Sequence, residues 1–585
     1  MKSALQYVSK VLFLLEEEKK KIPFLISLFL VVTLLDVLSV SLVSPYIALI
    51  MELSPLDNNI LVERVSVFIS INSYADAVIW IGLLLLAAFF LKGVAAIAAL
   101  SVIYRFSWRQ NARLRARLVD RYQNMPYNQF VNKNSAHYLQ ATQEMTMRYS
   151  SALQTFLRLA CEAMVAVSLV SYVAIKHGME LTYLVLLIGS IALGYDRLFR
   201  NQVQVAGKKA IAQNTKAIQK INEAISGYKE IQILGKQEQF NKIIKNESMK
   251  ACLNYYLAQI VGTVPRYLYE FALVLFFISL AYFSIVVVDE PVGNIFPMLG
   301  LFVVVALRLL PTATLVTTGL ARLRFNHAPI MQLVEDIQLE PAMPTKNRSR
   351  NVVQLGPEFR QLKLHDLQFR YSKNSDWVID GVSLDINAGE AIGIIGKSGS
   401  GKTTLIDLLL GLLKPENGDV LVNGIPLGDC IQEWRRWTVY LPQEGFLFDG
   451  TIRQNVTVNF DGDDDNELFE SAIQNSNLLE IIQKLPDGED TYIGERGARL
   501  SGGQRQRISI ARAMYHRRQV LIFDEAASAL DPDSRSEVRK KIVSLKGRNT
   551  IIVISHDIDL LHDCDRVFRV ENGQLIGQSV EILES

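Results

Sequence analysis

Cysteine is scarce in this sequence: among 585 residues there are only four, and they lie far apart. No two of them have the CxxC spacing of a zinc site or a redox pair, so we interpret them as free thiols. They are Cys161, Cys252, Cys430 and Cys564. An excess of either charge is also lacking, because 61 basic and 59 acidic residues leave a net charge of only +2. The sequence therefore gives no reason to expect a nucleic-acid partner.

Charged residues of both signs make up only 21% of the chain, whereas hydrophobic residues make up 50%. This balance is unusual for a water-soluble protein of this size and indicates that part of the chain lies in lipid. A chain of 585 residues is also too long for one hydrophobic core. Two large domains are the expected arrangement.

A cleavable signal sequence is also absent. Residues 1–21 (MKSALQYVSKVLFLLEEEKKK) contain a short apolar run that ends at three glutamates, with no small-residue cleavage site after it. We predict a retained amphipathic helix that lies on the cytoplasmic surface of the membrane.

The first 320 residues contain about six apolar stretches, each near the roughly 20 residues that a helix needs to cross a bilayer. They lie near residues 23–51, 78–104, 152–176, 178–198, 256–288 and 292–320. The sequence predicts an all-α transmembrane domain over residues 1–337, with a tight hairpin between the third and fourth spans. An even number of spans places both ends of the domain on the same side.

The distribution of lysine and arginine predicts the orientation. Residues 105–148 contain eight basic residues, whereas the loop at residues 52–77 contains only Arg64. Basic loops face the cytoplasm. The segments 105–151 and 199–255 are too long for simple turns, so we expect the spans to continue as helices into the cytosol. Their tips, at residues 125–138 and 226–236, are predicted to link the membrane domain mechanically to the domain that follows.

The composition changes near residue 340, where PAMPTKNRSRN predicts an exposed linker over residues 338–352. From residue 353 to 585, short β-branched strands alternate with helices and glycine turns, a pattern typical of an α/β domain with a mainly parallel sheet. No internal repeat of the whole unit is visible, so each chain contains one such domain.

The strongest motif is GKSGSGKT at residues 396–403, which follows an apolar strand at 391–395 and precedes a helix. This is the GxxxxGK(S/T) phosphate loop in its required context. Its backbone N–H groups and the helix N-terminus cradle nucleotide phosphates. Lys402 would reach the β- and γ-phosphates of ATP, and Thr403 would bind Mg²⁺. The predicted ATP-binding residues of this segment are Gly396, Ser398, Gly399, Ser400, Gly401, Lys402, Thr403 and Thr404.

Downstream, residues 520–525 (VLIFDE) form an apolar strand that ends in two carboxylates. Such a strand delivers its last residues to the carboxyl edge of a parallel sheet, where ligands bind in this class of fold. Asp524 is placed to hold Mg²⁺, and Glu525 to act as the general base on the attacking water.

The sequence LSGGQ at residues 500–504, followed by RQRISIARA, resembles the signature of the ATP-binding cassette family, and other elements of that family follow in order. The resemblance implies that Tyr371 stacks on adenine, that Gln443 contributes to catalysis and to Mg²⁺ binding, and that His556 senses the γ-phosphate. It also implies that the signature and one further residue contact ATP; these residues are Ser501, Gly502, Gly503, Gln504 and Asp531. The six-span half resembles the exporter-type membrane domain of the same family.

The resemblance further implies a head-to-tail homodimer, in which each ATP lies between Lys402 of one chain and Ser501 of the other. Glu525 and His556 are both present, so two equal sites are expected and no different partner is needed. One departure follows the switch histidine, where the family usually has Arg-Leu-Ser and this chain has Asp557-Ile558-Asp559. We interpret the two aspartates as caps of the next helix.

Charged residues within the spans are costly in lipid and point to the cargo. Arg158 and Glu162 are spaced i,i+4, as are Arg266 and Glu270, so each pair is predicted to form an internal ion pair. The stretches AFFLKG, VPRYLYEFAL and LFVVVALRLLPTA resemble the exporter-type flippases of undecaprenyl-pyrophosphate-linked oligosaccharides. The resemblance implies that Lys92, Arg266 and Arg308 bind the phosphate head of a lipid carrier.

The sequence thus predicts an ATP-hydrolysing half-transporter of a bacterial inner membrane, with both termini and the ATP-binding domain in the cytoplasm. ATP and Mg²⁺ are the expected ligands. A second copy of the chain, a lipid-linked substrate and the membrane lipids are the expected partners. An exporter of another lipid, a peptide or a hydrophobic drug is the main alternative. An ATP-gated channel or receptor-type regulator fits less well, because the catalytic motifs are complete.

Overall fold

The computed structural model describes residues 2–50, 74–176, 178–287, 292–338, 356–461, 464–525, 532–556 and 558–578. The chain forms two compact units. The first consists of Met1–Met125 and Val131–Pro341, and the second of Pro126–Phe130 and Ala342–Ser585.

The regular structure of the first 338 residues is entirely helical in the described part of the chain. A 3₁₀ helix lies at Glu16–Lys21, and π-helical turns lie at Ala141–Met145 and Phe283–Val287. The α-helices are α1 (Lys2–Phe13), α2 (Ile22–Ser41), α3 (Val43–Ile50), α4 (Tyr74–Gln123), α5 (Tyr127–Val131), α6 (Ser135–Gln140), α7 (Thr146–Lys176), α8 (Gly178–Ser226), α9 (Tyr228–Ile233), α10 (Gln237–Tyr282), α11 (Val292–Phe325) and α12 (His327–Gln338).

Within the described residues, six helical stretches are long and apolar enough to cross a membrane, which confirms the prediction of a six-helix domain. The stretches are Glu16–Ser41, Tyr74–Gln123, Ser135–Ile175, Gly178–Ser226, Gln237–Val286 and Met298–Phe325. The 50 residues of α4 make a helix of about 75 Å, far longer than a hydrocarbon core of about 30 Å. The prediction that spans continue beyond the bilayer is therefore correct. The predicted tight hairpin is also present, because α7 ends at Lys176 and α8 begins at Gly178.

The N-terminal segment forms the predicted helix, α1, but its apolar side chains face protein. Tyr7, Val11, Leu14 and Leu15 are buried in a cluster with side chains of α4, α7 and α12. These four side chains are therefore covered by protein, and the position of the helix on the membrane surface stays a prediction.

Glu144, in the π-helical turn before α7, joins three long helices. Its carboxylate accepts hydrogen bonds from Arg148 at 2.7 Å, Tyr255 at 2.9 Å, Asn214 at 2.5 Å and Gln140 at 2.9 Å. Because a carboxylate has about four lone-pair positions, this arrangement satisfies it fully. It ties α7 to α8 and α10.

A second carboxylate, the buried Asp336 of α12, holds the segment around α6. It accepts hydrogen bonds from Tyr122 at 2.7 Å and Lys133 at 2.8 Å, and His137 Nε2 lies 3.1 Å away. Burial alone would raise its pKa, but the bonds from His137, Lys133 and Tyr122 outweigh burial, so the pKa of Asp336 is lowered. Asp336 is thus held as a charged anchor.

The second unit contains two sheets. Their strands are β1 (Gln361–Phe369), β2 (Ile379–Asn387), β3 (Ala391–Ile395), β4 (Asn417–Val422), β5 (Ile425–Pro426), β6 (Thr438–Leu441), β7 (Val520–Asp524), β8 (Thr550–Ile554), β9 (Arg566–Glu571) and β10 (Gln574–Gln578). The helices are α13 (Lys402–Leu409), α14 (Leu427–Trp437), α15 (Ile452–Thr457), α16 (Asn466–Asn475), α17 (Leu479–Gln483), α18 (Gly502–Tyr515), α19 (Pro532–Leu545) and α20 (Ile558–His562). Two 3₁₀ turns lie at Gly488–Asp490 and Glu495–Gly497.

The larger sheet has the strand order β10-β9-β3-β8-β7-β6, and every pair except β10–β9 is parallel. The predicted α/β domain with a mainly parallel sheet is confirmed. Its central strands are almost continuous runs of Val, Ile and Leu because both faces are covered. The smaller antiparallel sheet, ordered β2-β1-β4-β5, was not predicted. The carboxyl ends of β3, β8, β7 and β6 lie side by side, and this edge carries the site described next.

Candidate functional site

The phosphate loop lies between β3 and α13, as predicted. Gly401 has a φ of +105°, and a Cβ atom there would lie 2.8 Å from the carbonyl oxygen of Val378, so only glycine fits. Lys402 Nζ donates hydrogen bonds to the carbonyl oxygens of Gly396 at 2.6 Å and Lys397 at 2.9 Å. The ammonium group is therefore folded back over its own loop, on the side where phosphates would bind.

Asp524 is the last residue of β7, and its carboxylate is fixed by a neighbouring strand. Tyr440 of β6 donates a hydrogen bond to Asp524 Oδ2 at 2.9 Å. Burial raises the pKa of Asp524, the bond from Tyr440 opposes that effect, and the adjacent charge of Glu525 adds to it. Two neighbouring acids in a partly buried position are the kind of environment that a divalent cation stabilises.

Glu525 lies between the two residues that the resemblance assigned to catalysis. Gln443 Nε2 donates a hydrogen bond to Glu525 Oε2 at 2.9 Å, and His556 Nε2 lies 3.4 Å from Glu525 Oε1. These three side chains come from the ends of β7, β6 and β8. The parallel sheet therefore brings together residues far apart in sequence, with a carboxylate at the centre that can accept a proton from water.

The oxygen donors that would hold Mg²⁺ fit that ion. Thr403 supplies a hydroxyl group, Asp524 a carboxylate, and Gln443 an amide oxygen, since its amide nitrogen is the atom that bonds Glu525. Mg²⁺ prefers oxygen ligands and usually completes its shell with water and substrate phosphates. In the described residues no cluster of three or more His, Cys, Asp or Glu could hold a metal alone. The arrangement thus suits a metal that arrives with nucleotide.

Tyr371 follows β1 and is positioned by the helix of the phosphate loop. Its hydroxyl lies 3.1 Å from Thr404 Oγ1, and Phe369 packs edge-on against its ring, with 5.1 Å between the centroids. The side chain is nevertheless 63% exposed. An aromatic ring that is anchored through its hydroxyl group and largely exposed is suited to stacking on a base.

The signature serine begins the long helix α18. Ser501 Oγ accepts a hydrogen bond from the backbone N–H of Gln504, and the Gln504 side chain accepts one from the backbone N–H of Ser501. This capping box aligns the free N–H groups of Gly502 and Gly503 at a helix N-terminus, which favours an anion. The described hydrogen bonds of the Ser501 side chain are with its own helix.

Two residues that bring the segment after Gln443 against the signature helix were missed by sequence reasoning. Arg512 of α18 donates hydrogen bonds to the carbonyl oxygens of Phe446 and Asn455, both at 2.9 Å, and so ties the segment after Gln443 to the signature helix. Gly445 lies so close to this helix that a Cβ atom would be 2.0 Å from Ser509 Oγ. Arg512 lies within the quoted motif RQRISIARA, but no local signal marked its partners.

Two residues to which the sequence analysis gave a role, Asp531 and Asp557, lie outside the described residues. Asp559 is described, and it pairs with Arg539 of α19 at 3.4 Å. Asp559 lies in the first turn of α20, and its capping role stays a prediction.

The membrane charges are paired differently from the prediction. Asp36 lies 2.6 Å from both Lys92 and Arg308, and Glu162 pairs with Arg308 at 3.2 Å rather than with Arg158. The i,i+4 spacing of Arg158 and Glu162 was therefore misleading, because the tertiary partner lies on α11.

The predicted pair of Arg266 and Glu270 is present at 2.8 Å. Lys92 and Arg308 thus share Asp36 as their acidic partner, whereas Arg266 belongs to a separate, exposed ion pair. The three proposed head-group ligands do not form one cluster around a common acidic partner.

Comparisons with known proteins agree with this architecture. Residues 24–308 match the family described as ABC transporter transmembrane region, and residues 379–528 match the family described as ABC transporter. A solved structure of a bacterial Atm1-family ABC exporter with ATP bound covers 97% of this chain and 96% of its own, with a TM-score of 0.79 and 18% identity. That likeness shows the fold.

Among curated proteins, the ATP-dependent lipid A-core flippase of Francisella tularensis strain SCHU S4 is 32% identical over 62% of this chain and 59% of its own length. The flippase of the same name from Ralstonia nicotianae is 37% identical over 38% of each chain. ABC transporter B family member 29, chloroplastic, of Arabidopsis thaliana is 40% identical over 38% of this chain and 36% of its own. The matched segments thus span less than two thirds of these relatives.

Proposed function

Because the chain belongs to the ABC transporter family, with the fold of an exporter half, we propose that it hydrolyses ATP to move a lipid-linked substrate across a bacterial inner membrane. The active unit is a homodimer, since each chain contains one phosphate loop and one signature. The observation that carries the proposal is the position of Glu525 between Gln443 and His556, at the sheet edge that also presents Lys402 and Asp524.

In the proposed reaction, the glycine-rich loop and Lys402 bind the phosphates, and Tyr371 stacks on the base. Glu525 accepts the proton of the attacking water, while Gln443 and His556 orient its carboxylate. Mg²⁺, when bound by Thr403, Asp524 and Gln443, neutralises charge on the phosphates. Ser501 of the second chain closes the site with an anion-binding helix end. Asp531 is proposed to contact the nucleotide as well.

The proposed cargo is a polyprenyl-(pyro)phosphate-linked glycan, carried from the cytoplasmic to the outer leaflet. Lys92, Arg266 and Arg308 are the proposed ligands of its head group. Cations inside spans are costly unless they serve a partner, and an anionic head group is one such partner. Two relatives are named lipid A-core flippases, which favours a glycolipid cargo over a peptide or a drug. Lipid A-core itself is therefore the second candidate.

The proposed topology places both termini and the ATP-binding domain in the cytoplasm, following the lysine and arginine asymmetry of the loops. The proposed domains are residues 1–337, a linker at 338–352, and residues 353–585. Cysteine labelling of intact cells tests the topology: a cysteine introduced in the loop at residues 52–77 should react with an impermeant reagent, whereas one near residue 230 should not.

The decisive experiment is a flipping assay in proteoliposomes with a panel of polyprenyl-pyrophosphate glycans, lipid A-core and a neutral phospholipid. Arg266→Ala should reduce flipping of the anionic lipids several-fold, because it removes a proposed ligand of the head group. The Arg266–Glu270 pair is exposed, so its loss should spare the fold. Arg200→Ala, at an exposed arginine of α8, is the matched control and should flip normally. Undiminished flipping after Lys92, Arg266 and Arg308 are all replaced would exclude the head-group assignment.

A further inference from the structure

Four charged side chains of the membrane domain form one cluster: Asp36, Lys92, Glu162 and Arg308. Asp36 is the most deeply buried of the four. It lies on α2, and its side chain is 2% exposed. Oδ1 lies 2.6 Å from Lys92 Nζ of α4, and Oδ2 lies 2.6 Å from Arg308 Nη2 of α11. One carboxylate therefore bridges two cations on two other helices.

Glu162 of α7 completes the cluster from the other side of Arg308. Its Oε2 lies 3.2 Å from Arg308 Nη2 and accepts a hydrogen bond from Thr312 at 2.9 Å. The cluster thus contains two cations and two anions, and its formal charges cancel. A neutral cluster is tolerated in a low-dielectric interior, but it has no net charge with which to attract an anion.

The bridge made by Asp36 is close but poorly directed. Among the described residues, neither of its carboxylate oxygens has a hydrogen-bond partner of good geometry, and Arg308 Nε has none either. The cations are also more open than the acid, since Lys92 is 20% exposed and Arg308 22%. A buried polar group without hydrogen bonds is costly. The cations can therefore be approached from a side that Asp36 does not cover, by an anion that would bond them better.

We propose that Asp36 is a tethered anion that occupies Lys92 and Arg308 until a lipid phosphate group displaces it. A phosphate carries several acceptor oxygens and can bond the guanidinium group in bidentate fashion, which the carboxylate does not do here. When the lipid leaves, Asp36 returns and no cation is left unpaired. Asp36 thus sets the affinity for the head group and permits its release; this assignment rests on the proposed function.

The test measures binding, not transport. Full-length protein in neutral detergent, without nucleotide, is titrated with dioctanoyl phosphatidic acid, whose head is a phosphate monoester, and with dioctanoyl phosphatidylcholine, which has no net charge. Asp36→Asn should bind phosphatidic acid about ten-fold more tightly, equivalent to about 1.4 kcal/mol, with phosphatidylcholine unchanged. Asp36→Glu keeps the charge and is the matched control, with no such gain. Glu162→Gln should give a smaller gain, because Glu162 contacts only one of the two cations.

A second variant decides the matter if Asp36→Asn does not fold. Lys92→Met combined with Asp36→Asn removes one cation and one anion, so the remaining Arg308–Glu162 pair stays neutral. It should bind phosphatidic acid several-fold more tightly than Lys92→Met alone, because Asp36 no longer competes for Arg308. Unchanged affinity in either comparison would overturn the proposal, and so would an equal gain for phosphatidylcholine. An equal gain for inorganic phosphate would assign the site to a free anion and overturn the lipid assignment.

The binding test and the flipping assay can fail independently of each other. If the parent flips no lipid in proteoliposomes, yet Asp36→Asn gains affinity for phosphatidic acid alone, the transport proposal fails and the tethered-anion site stands. If the parent flips anionic lipids, yet Asp36→Asn gains nothing, the reverse holds.

Discussion

The hydroxyl group of Tyr440 donates a hydrogen bond of 2.9 Å to Asp524 Oδ2, the carboxylate that we propose holds Mg²⁺. Tyr440 lies three residues before Gln443, and the sequence predicted no role for it. It lies at the end of β6, next to β7 in the sheet, so its role is to orient Asp524.

Tyr440→Phe should weaken the binding of Mg²⁺ without abolishing ATP hydrolysis. Loss of one hydrogen bond costs about 1 kcal/mol, so the Mg²⁺ concentration for half-maximal ATPase activity should rise roughly five-fold. The maximal rate at saturating Mg²⁺ should fall much less. A lower maximal rate with an unchanged Mg²⁺ requirement would contradict a positioning role.

Glu525→Gln should stop ATP hydrolysis while nucleotide still binds, because the amide cannot accept the proton but the phosphate loop is intact. The expected loss is about 10²- to 10⁴-fold, measured as phosphate release. Lys402→Ala should instead lose binding of a fluorescent ATP analogue. Glu444→Gln, one residue after Gln443, is the control. Parental turnover in Glu525→Gln would remove Glu525 as the general base.

The dimer can be tested with two mixed pairs. In the first, one chain carries Lys402→Ala and the other Ser501→Arg, which leaves one composite site intact and one doubly damaged. In the second, both changes are on one chain and its partner is unchanged, so each site has one defect. We expect substantial ATPase activity only from the first pair. Equal activity of the two, or full activity from a monomer, would contradict the head-to-tail arrangement.

Tyr127 belongs to the segment Pro126–Phe130, which forms part of the second unit. Burial, followed by the charges of Asp407 and Tyr371, raises the pKa of its hydroxyl. We therefore expect Tyr127→Ala to remove the stimulation of ATPase activity by lipid while the basal rate remains. Gln129→Ala, an exposed change on the same short helix, is the control. Stimulation that survives in Tyr127→Ala would show that this tip does not transmit the signal.

Asp336→Asn should destabilise the first unit in a pH-dependent way. The folded-state pKa of Asp336 is lowered, so its contribution is complete above the unfolded pKa of about 3.8 and is lost as pH falls through the lower folded value. The variant should be less stable by about 1–3 kcal/mol at pH 7, measured by thermal unfolding in detergent. The difference should shrink below pH 4. Exposed Glu335→Gln should show neither effect.

The six spans and the phosphate loop could be predicted because their signals are local. A span is a continuous apolar run, and the residues around Lys402 are contiguous because one turn of backbone must surround the phosphates. Glu525 directly follows β7, and His556 lies two residues after the end of β8. Their distances to each other depend on strand order, for which the resemblance was the only guide.

The pairing of Asp36 could not be predicted for the opposite reason. Its partners, Lys92 and Arg308, lie on helices that are adjacent only in space, and no periodicity relates residue 36 to residue 308. The i,i+4 rule was right for Arg266 and wrong for Arg158, since tertiary packing decided between a local and a distant partner. The antiparallel sheet was missed because β4 is separated in sequence from its partner β1 by the parallel strand β3 and the phosphate loop.

One residue of sequence lies between Lys176, where α7 ends, and Gly178, where α8 begins. A connection this short spans only about 7 Å, so neither helix end can move far from the other. We therefore expect the two helices to enter the lipid together as a hairpin, so that a mutation that slows the insertion of one also delays the other.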